Sequence, residues 1–166
     1  MSDLIEYVEN VSTMRRNYCQ AKNHGEWKYC SAEECIIEEG VFATASELPD
    51  WINRGELKQC YRNASNLAIS HANLRYVEGY GVFRGIPVQH AWVYDMVTGL
   101  HHEVTWPEEG REYYGVVFDT AYITSLMLKT ERYGVWSSEH YACLESVMRT
   151  GFPDWAVLKF GEHVKK

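Results

Sequence analysis

Two alternating segments joined by a short connection constrain the fold more than any other feature of this chain. Residues 88–94 alternate in the manner of a β-strand, and residues 99–106 suit an antiparallel partner across residues 96–99. Gly85-Ile86-Pro87 marks the entrance of the first strand, where a residue without an N–H group is tolerated. The sequence therefore predicts a β-hairpin.

The register of this hairpin determines which side chains can meet. If the connection has four residues, His90 faces Thr105, and Glu103 is a diagonal neighbour of His90 on the same face. Such neighbours lie roughly 7–8 Å apart, within reach of a long side chain. Any even connection keeps the two on one face, whereas an odd one separates them. Asp95, a competing carboxylate, lies five residues from His90 and points to the opposite face of a regular strand.

Cys60 stands where a helix is expected to begin. The stretch 60–72 places apolar and small residues at helical spacing from the cysteine, together with one histidine: Ala64, Leu67, Ala68 and His71. A cysteine in a first helical turn gains from the positive end of the helix dipole, so we expect a lowered pKa. The free N–H groups of that turn can donate to an oxyanion.

Cys60, His90 and Glu103 together supply a thiol, an imidazole and a carboxylate, in that order, inside about 45 residues. Taken singly, Cys60 is a buried structural thiol and His90 an ordinary strand histidine. Jointly they form the set that acyl transfer by a cysteine nucleophile requires. Cys60 would attack an acyl carbon, His90 would carry its proton, and Glu103 would hold the ring.

Three further residues are candidates for the same cleft. Gln59, beside the cysteine, is a candidate oxyanion donor in addition to the N–H of Cys60. Trp106, three residues after Glu103, either covers the site or packs in the core. Tyr80 is likewise either a cleft residue or a core residue.

These segments resemble the core of the transglutaminase-like superfamily, which belongs to the papain-like folds. The resemblance covers about residues 58–107, with 30 residues from Cys60 to His90 and 13 more to Glu103. It rests on four features. A cysteine opens a helix in Cys60-x-x-x-Ala64, and a strand ends in Gly-Tyr at residues 76–80. A His-Ala-Trp strand follows at 90–93, and an acidic segment at 103–106. Glu103-Val104 stands where the family has Asp-Pro, and the Gly and Trp that often flank the cysteine are missing.

The resemblance implies a cysteine-dependent amide hydrolase or acyltransferase, that is, a peptidase, amidase or transamidase acting through a thioester. It implies a protein or peptide substrate and no cofactor. The alternative is a catalytically inactive interaction module of the same fold, which the Glu-Val departure and the many aromatic residues favour. The sequence does not decide between water and an amine as the group that resolves the thioester.

Length and composition agree with a globular protein. The 166 residues fit a single domain, 1–166, and 46% apolar with 23% charged residues is typical of such chains. A formal charge of −7, with basic residues spread along the chain, argues against nucleic acid. No apolar run suits a membrane span. An odd count of five cysteines without a secretory signal predicts a reducing cytoplasm.

The remaining segments predict an α+β domain, with N-terminal helices packed on an antiparallel sheet. Helices are expected at residues 3–21, after the capping box Ser31–Glu34 up to Gly40, and at 139–150 with Ser137 or Ser138 as the cap. Strands are expected at 113–118, 121–129 and 155–160.

A zinc site is the third functional hypothesis. Its ligands would come from Cys19, His24, Cys30 and Cys35. The spacing lacks the close Cys-x-x-Cys pair that structural zinc sites favour, so buried thiols are the simpler interpretation. We therefore expect no metal.

Overall fold

The computed structural model describes residues 2–22, 26–107, 112–136 and 141–160, with the backbone alone for 141–143. In chain order, the elements within these ranges are α1 Asp3–Ala21, α2 Ala32–Glu39, β1 Val41–Ala43, β2 Ala45–Ser46, α3 Cys60–Ser70, β3 Leu74–Phe83, β4 Ile86–Asp95, β5 Leu100–His102, β6 Tyr113–Phe118, α4 Thr120–Thr130 and α5 Tyr141–Thr150. The expected α+β class is confirmed.

The described strands form one six-stranded sheet in the order β1-β6-β3-β4-β5-β2. Neighbouring strands are antiparallel except β2, which pairs with β5 in parallel. The expected antiparallel sheet is therefore a mixed sheet. The difference comes from β2 alone, because β1 pairs with β6 in antiparallel fashion. The sequence revealed neither of these short strands, because segments of three and two residues carry no readable alternation.

The hairpin of β4 and β5 has the predicted register. Asp95 pairs with Leu100, so the connection has four residues. The second strand is shorter than expected, because β5 ends at His102. The segment after β5 is held by the loop before α3, where the side chain of Arg54 donates hydrogen bonds to the backbone carbonyls of Glu103 and Trp106 at 2.9 and 2.6 Å.

The N-terminal helices agree with the sequence. Helix α1 spans the predicted residues, and Ser31 caps α2 by accepting a hydrogen bond from the N–H of Glu34. Gly40 is the C-cap residue of α2. The N-cap serines Ser2 and Ser31 thus define where the two helices begin, through hydrogen bonds to residues two and three positions later.

Two predicted strands are wrong. Residues 121–129 lie in helix α4, capped by Asp119 through the N–H of Ala121 at 2.8 Å. The buried Ile123 and Leu126 follow helical spacing, and this burial overrides the β-propensity of the segment. Residues 155–160 make only an isolated bridge, between Val157 and Phe118.

Helix α5 was predicted and is confirmed for its described part. It ends before Gly151, whose φ of +93° suits glycine. The proposed caps Ser137 and Ser138 lie outside the described residues.

Buried side chains lie on both faces of the sheet. Along β3, Tyr76 and Tyr80 belong to the larger apolar cluster, which the helices cover, whereas Val77 belongs to a second cluster. Along β4, Ala91 belongs to the first cluster and Trp92 to the second. Because strand side chains alternate, His90 shares the face of Trp92, opposite the helices.

Within the described ranges, no helix combines the length and the apolar composition that a membrane crossing requires.

Candidate active site

Cys60 is the first residue of α3, as predicted. Its N-cap residue, Gln59, makes no side-chain cap, so the first turn keeps donors that no cap occupies. The helix rests on the sheet through the buried Ala64 and Ala68. Cys60 is half-buried, and the backbone N–H groups of Ala91 and Tyr61 bond to its sulfur.

The thiol of Cys60 has a raised pKa. Burial is the largest cause, and the charges of Glu78 and Glu103 act in the same direction, while the N–H groups of Ala91 and Tyr61 only partly oppose them. The expectation of a lowered pKa is therefore wrong. Desolvation of the sulfur outweighs the donors of the helix start, so the resting group is a neutral thiol.

The side chains of His90 and Glu103 are in contact. His90 Nε2 lies 2.7 Å from Glu103 Oε2, and the two side chains are 1% and 0% exposed. Oε2 also accepts the hydroxyl of Tyr113 at 2.9 Å. The other oxygen, Oε1, accepts the backbone N–H groups of Thr105 and Trp106 at 2.6 and 2.8 Å. Four donors thus fix this carboxylate.

Glu103 is held as a carboxylate. Burial acts to raise its pKa, but the hydrogen bond and charge of His90 and the two backbone N–H groups outweigh burial, so the pKa is lowered. A carboxylate at this position can only accept. His90 therefore carries its proton on Nε2, and Nδ1 remains the nitrogen that can act as a base.

Trp106 covers one face of the His90 ring. The two ring centroids are 3.6 Å apart and the planes are 11° from parallel. Trp106 also packs against Phe83, with centroids 4.8 Å apart. Trp106 therefore combines the two expected positions, since it lies over the imidazole and packs against the second apolar cluster.

The thiol and the imidazole approach the same edge of β4 from different sides. The sulfur of Cys60 meets the N–H of Ala91, the residue after His90, while the His90 ring lies on the opposite face of the sheet. No hydrogen bond joins Cys60 to His90 in the described part of the chain. The segment after β5 is tied to α3, because Asn63 donates to Thr105 Oγ1 at 2.9 Å. The structure therefore joins two members of the predicted triad and brings the third to the neighbouring residue.

The other candidates lie in different places. Gln59 is exposed beside the thiol. Tyr80 lies on the helix-covered face, where its hydroxyl donates to Glu33 at 2.6 Å. Asp95 accepts from Asn73 and from the N–H of Val97, away from His90, as the register predicted.

Sequence reasoning missed one residue that contacts Glu103. Tyr113 was assigned only to a strand, yet its hydroxyl holds Glu103. Glu78 lies buried beside Ala91 in the register of β3 and β4, and accepts the hydroxyl of Tyr76 and the N–H of Val135, both at 2.6 Å. Burial raises the pKa of Glu78. The only sequence signal for Tyr113 was the alternation that places it on its strand.

The thiols proposed for zinc are used otherwise. Cys19 and Cys30 form a disulfide, and Cys35 is buried and donates to the carbonyl of Ser31. No cluster of metal-ligating side chains occurs within the described ranges, and His24 lies outside them. Cys35 and Cys60 are free thiols.

Comparison with known proteins gave no relative: no family model, no curated protein and no solved structure matched this chain.

Proposed function

We propose that this protein is a cysteine-dependent amide hydrolase or acyltransferase of transglutaminase-like fold. Cys60 is the nucleophile, His90 the proton carrier and Glu103 the group that orients it. The observation that supports this most strongly is the buried bond between His90 and Glu103. Burying an imidazole–carboxylate pair costs desolvation that apolar packing would avoid, so such a pair is expected where a fixed imidazole is needed.

The raised pKa of Cys60 favours proton transfer during attack over a resting thiolate. As the sulfur bonds to the acyl carbon, its proton passes to His90 Nδ1. The imidazolium that forms is stabilised by Glu103 through Nε2. The N–H of Cys60 donates to the oxyanion, and the exposed side chain of Gln59 is the candidate second donor. The reaction requires substrate binding to bring Sγ and Nδ1 to about 3–3.5 Å.

Collapse of the tetrahedral intermediate breaks the C–N bond, and His90 returns the proton to the leaving amine. A thioester remains on Cys60. Water or an amine then attacks it, gives its proton to His90, and releases the acyl product as the proton returns to the sulfur. Hydrolysis is the simpler outcome, because water needs no second binding site.

The second candidate is an inactive interaction module. The absence of a bond between Cys60 and His90 among the described residues, and the cover of Trp106 over the ring, favour it. In an inactive module, the pair of His90 and Glu103 would stabilise the fold, and the thiol of Cys60 would have no chemical role.

Acylation by p-nitrophenyl acetate separates the two candidates. We expect a hydroxylamine-labile acetyl group on Cys60, and a His90→Ala variant that acylates at least about 100-fold more slowly, because general-base catalysis contributes that much. His71→Ala, at the far end of α3, is the control and should acylate at the wild-type rate. Equal acylation of Cys60 in wild type and His90→Ala would support the inactive module.

The cellular setting is proposed from the thiols. A nucleophilic Cys60 must be reduced, which supports the cytoplasm, whereas the disulfide between Cys19 and Cys30 supports an oxidising setting. Alkylating the thiols in intact cells before lysis and then counting the labelled cysteines tests this. Labelled Cys19 and Cys30 would support the cytoplasm, and a protected pair would contradict it.

A further inference from the structure

A groove of about 370 Å³ lies between α4 and α5. Its walls come from residues 122–129 of α4 and 146–150 of α5, and the turn 151–155 completes it at one end. Cys60, His90 and Glu103 do not line it. Small-molecule sites have volumes of about 300–1,000 Å³, so the groove is large enough for a ligand of its own.

Helix α4 presents one side to the groove. The lining residues of this helix lie at positions i, i+3, i+4 and i+7, which share one side of a helix: Tyr122, Ser125, Leu126 and Lys129. Seven residues of helix rise by roughly 10 Å. Tyr122 and Lys129 therefore stand at opposite ends of this wall, with an aromatic ring at one end and an ammonium group at the other.

Helix α5 has its C-terminal end beside Tyr122. Phe152, just after that helix, meets the ring of Tyr122 with the two centroids 5.9 Å apart. Ser146 lines the groove one turn before the end of the helix, away from this aromatic contact. Leu126 and Val147, one from each helix, are both buried and give the groove an apolar floor. The floor is thus apolar throughout, while the two ends differ in chemistry.

The aromatic end is a corner of three rings. Tyr122 contacts Trp155 with centroids 5.7 Å apart and planes at 69°, and contacts Phe152 at 85°. Trp155 is nevertheless 58% exposed. An exposed indole beside these rings offers apolar surface that the planar ring of a ligand can cover in an edge-on or stacked contact.

The polar end carries an unpaired cation. Lys129 is exposed, and its ammonium group has no ion pair or hydrogen bond to another described residue. The acidic residues nearest to this end are placed otherwise. Glu145 accepts a hydrogen bond from Arg149 at 2.9 Å, and Glu131 lines a separate cavity. The charge of Lys129 is therefore available to an anionic ligand.

The groups at this end suit an anion with a single charge. Ser125 and Ser146 each bring a hydroxyl that can donate a hydrogen bond. A phosphate dianion would exceed the charge of one lysine, in a chain whose net charge is already −7. Asp154, in the turn at the aromatic end, adds negative charge there, so an anionic head group is directed toward Lys129. A carboxylate matches these groups.

We propose that this groove binds a small aromatic carboxylate. The ring lies against Trp155 and Tyr122, the alkyl part crosses Leu126 and Val147, and the carboxylate accepts hydrogen bonds from the ammonium group of Lys129. The groove shares no residue with the proposed catalytic site, so the inference goes beyond the proposed function and does not depend on it.

NMR titration of the full chain with phenylbutyrate and phenylbutyramide tests this inference. The two compounds share a ring and an alkyl chain and differ in charge. We expect phenylbutyrate to bind with a Kd of about 1 mM or lower, which is modest for its size, and to shift the indole N–H signal of Trp155. Phenylbutyramide should bind at least roughly tenfold more weakly, because it loses the charge-assisted bond to Lys129.

Three variants separate the two ends of the groove. Lys129→Gln should bind the acid and the amide with equal affinity, whereas Lys22→Gln, a matched change of an exposed lysine at the end of α1, should keep the preference for the acid. Trp155→Ala should weaken the binding of both compounds by about threefold or more and leave their ratio unchanged. All three side chains are exposed, so we expect the variants to fold, and circular dichroism checks this.

Several results would overturn the inference. These are equal affinity of the wild type for the two compounds, a preference for the acid that survives Lys129→Gln, and the lack of a saturable shift with either compound. Binding of phenylbutyrate should be unchanged in Cys60→Ala. Loss of binding in that variant would place the ligand at the thiol and would also overturn the inference.

Discussion

Glu103→Gln should move the proton of His90 from one ring nitrogen to the other. In the wild type, Oε1 accepts two backbone N–H groups and Oε2 accepts His90 Nε2 and the hydroxyl of Tyr113. A glutamine can keep its oxygen on the backbone donors only by turning its amide N–H groups toward His90 and Tyr113. His90 Nε2 must then accept, so its proton moves to Nδ1 and the base is lost.

The cost in stability follows from the same four bonds. Each loses charge assistance worth about 1 kcal/mol, or about 4 kcal/mol together, while removal of a buried charge returns several kcal/mol of desolvation. We expect a net loss of about 1–2 kcal/mol for Glu103→Gln. Glu103→Ala leaves four buried donors without this acceptor and should cost more than about 4 kcal/mol. Activity should fall by about 10⁴-fold in Glu103→Gln, as expected for the wrong tautomer.

Nitrogen NMR of the His90 ring measures this directly. We expect a protonated Nε2 in the wild type and a protonated Nδ1 in Glu103→Gln. If Nε2 stays protonated in the variant, the assigned role of Glu103 is incorrect.

The pH dependence has a defined sign. The pKa of Glu103 is lower in the folded chain than its ordinary value, so the folded state binds fewer protons there. Its stabilisation is full above about pH 4.3, the ordinary value, and is lost as the pH falls through the folded pKa. The stability difference between wild type and Glu103→Gln, from urea titrations, should therefore shrink on acidification below pH 4.3. A difference that grows would contradict this.

Three further results are expected. Because burial raises the pKa of Cys60, its alkylation by iodoacetamide should accelerate only above the ordinary thiol pKa of about 8.5, and selective labelling at pH 6 would contradict this. Reducing the Cys19–Cys30 disulfide should lower the free energy of unfolding by about 3 kcal/mol and Tm by about 6–12 °C, because the short loop that the bond closes is then free in the unfolded chain. An unchanged Tm would show that the bond does not stabilise the fold. Gly79→Ala should lower the free energy of unfolding by about 2–3 kcal/mol in urea titrations, because a Cβ there collides with the carbonyl of Tyr114. Gly85→Ala meets no neighbour and should cost about 1 kcal/mol, because its φ is +81°. Equal losses for the two variants would refute the collision.

The sequence was most informative where local chemistry decides the structure. Ser31 and Glu34 predicted a helix start, and the connection 96–99 predicted the register that brings His90 to Glu103. In both cases, hydrogen bonds between near neighbours dominate. The four-residue connection between β4 and β5 was enough to predict that His90 and Glu103 lie on one face.

Tertiary burial produced the differences. Residues 121–129 have strand-like composition but become helical, because Ile123 and Leu126 pack on the core at helical spacing. The pKa of Cys60 depended on how deeply the sulfur is buried and on Glu78, which lies on another element. The pairing of Cys19 with Cys30 depended on where α1 ends relative to the segment before α2. None of these follows from local pattern.

In the proposed mechanism, Cys60 and His90 act as one catalytic unit. Its most direct test is turnover of p-nitrophenyl acetate by Cys60→Ala, His90→Ala and the double variant, with folding checked by circular dichroism. We expect each single change to remove nearly all turnover and the double variant to be little worse than either, because the effects of residues in one catalytic unit are strongly non-additive. Rate losses that multiply, or full turnover by Cys60→Ala, would contradict it.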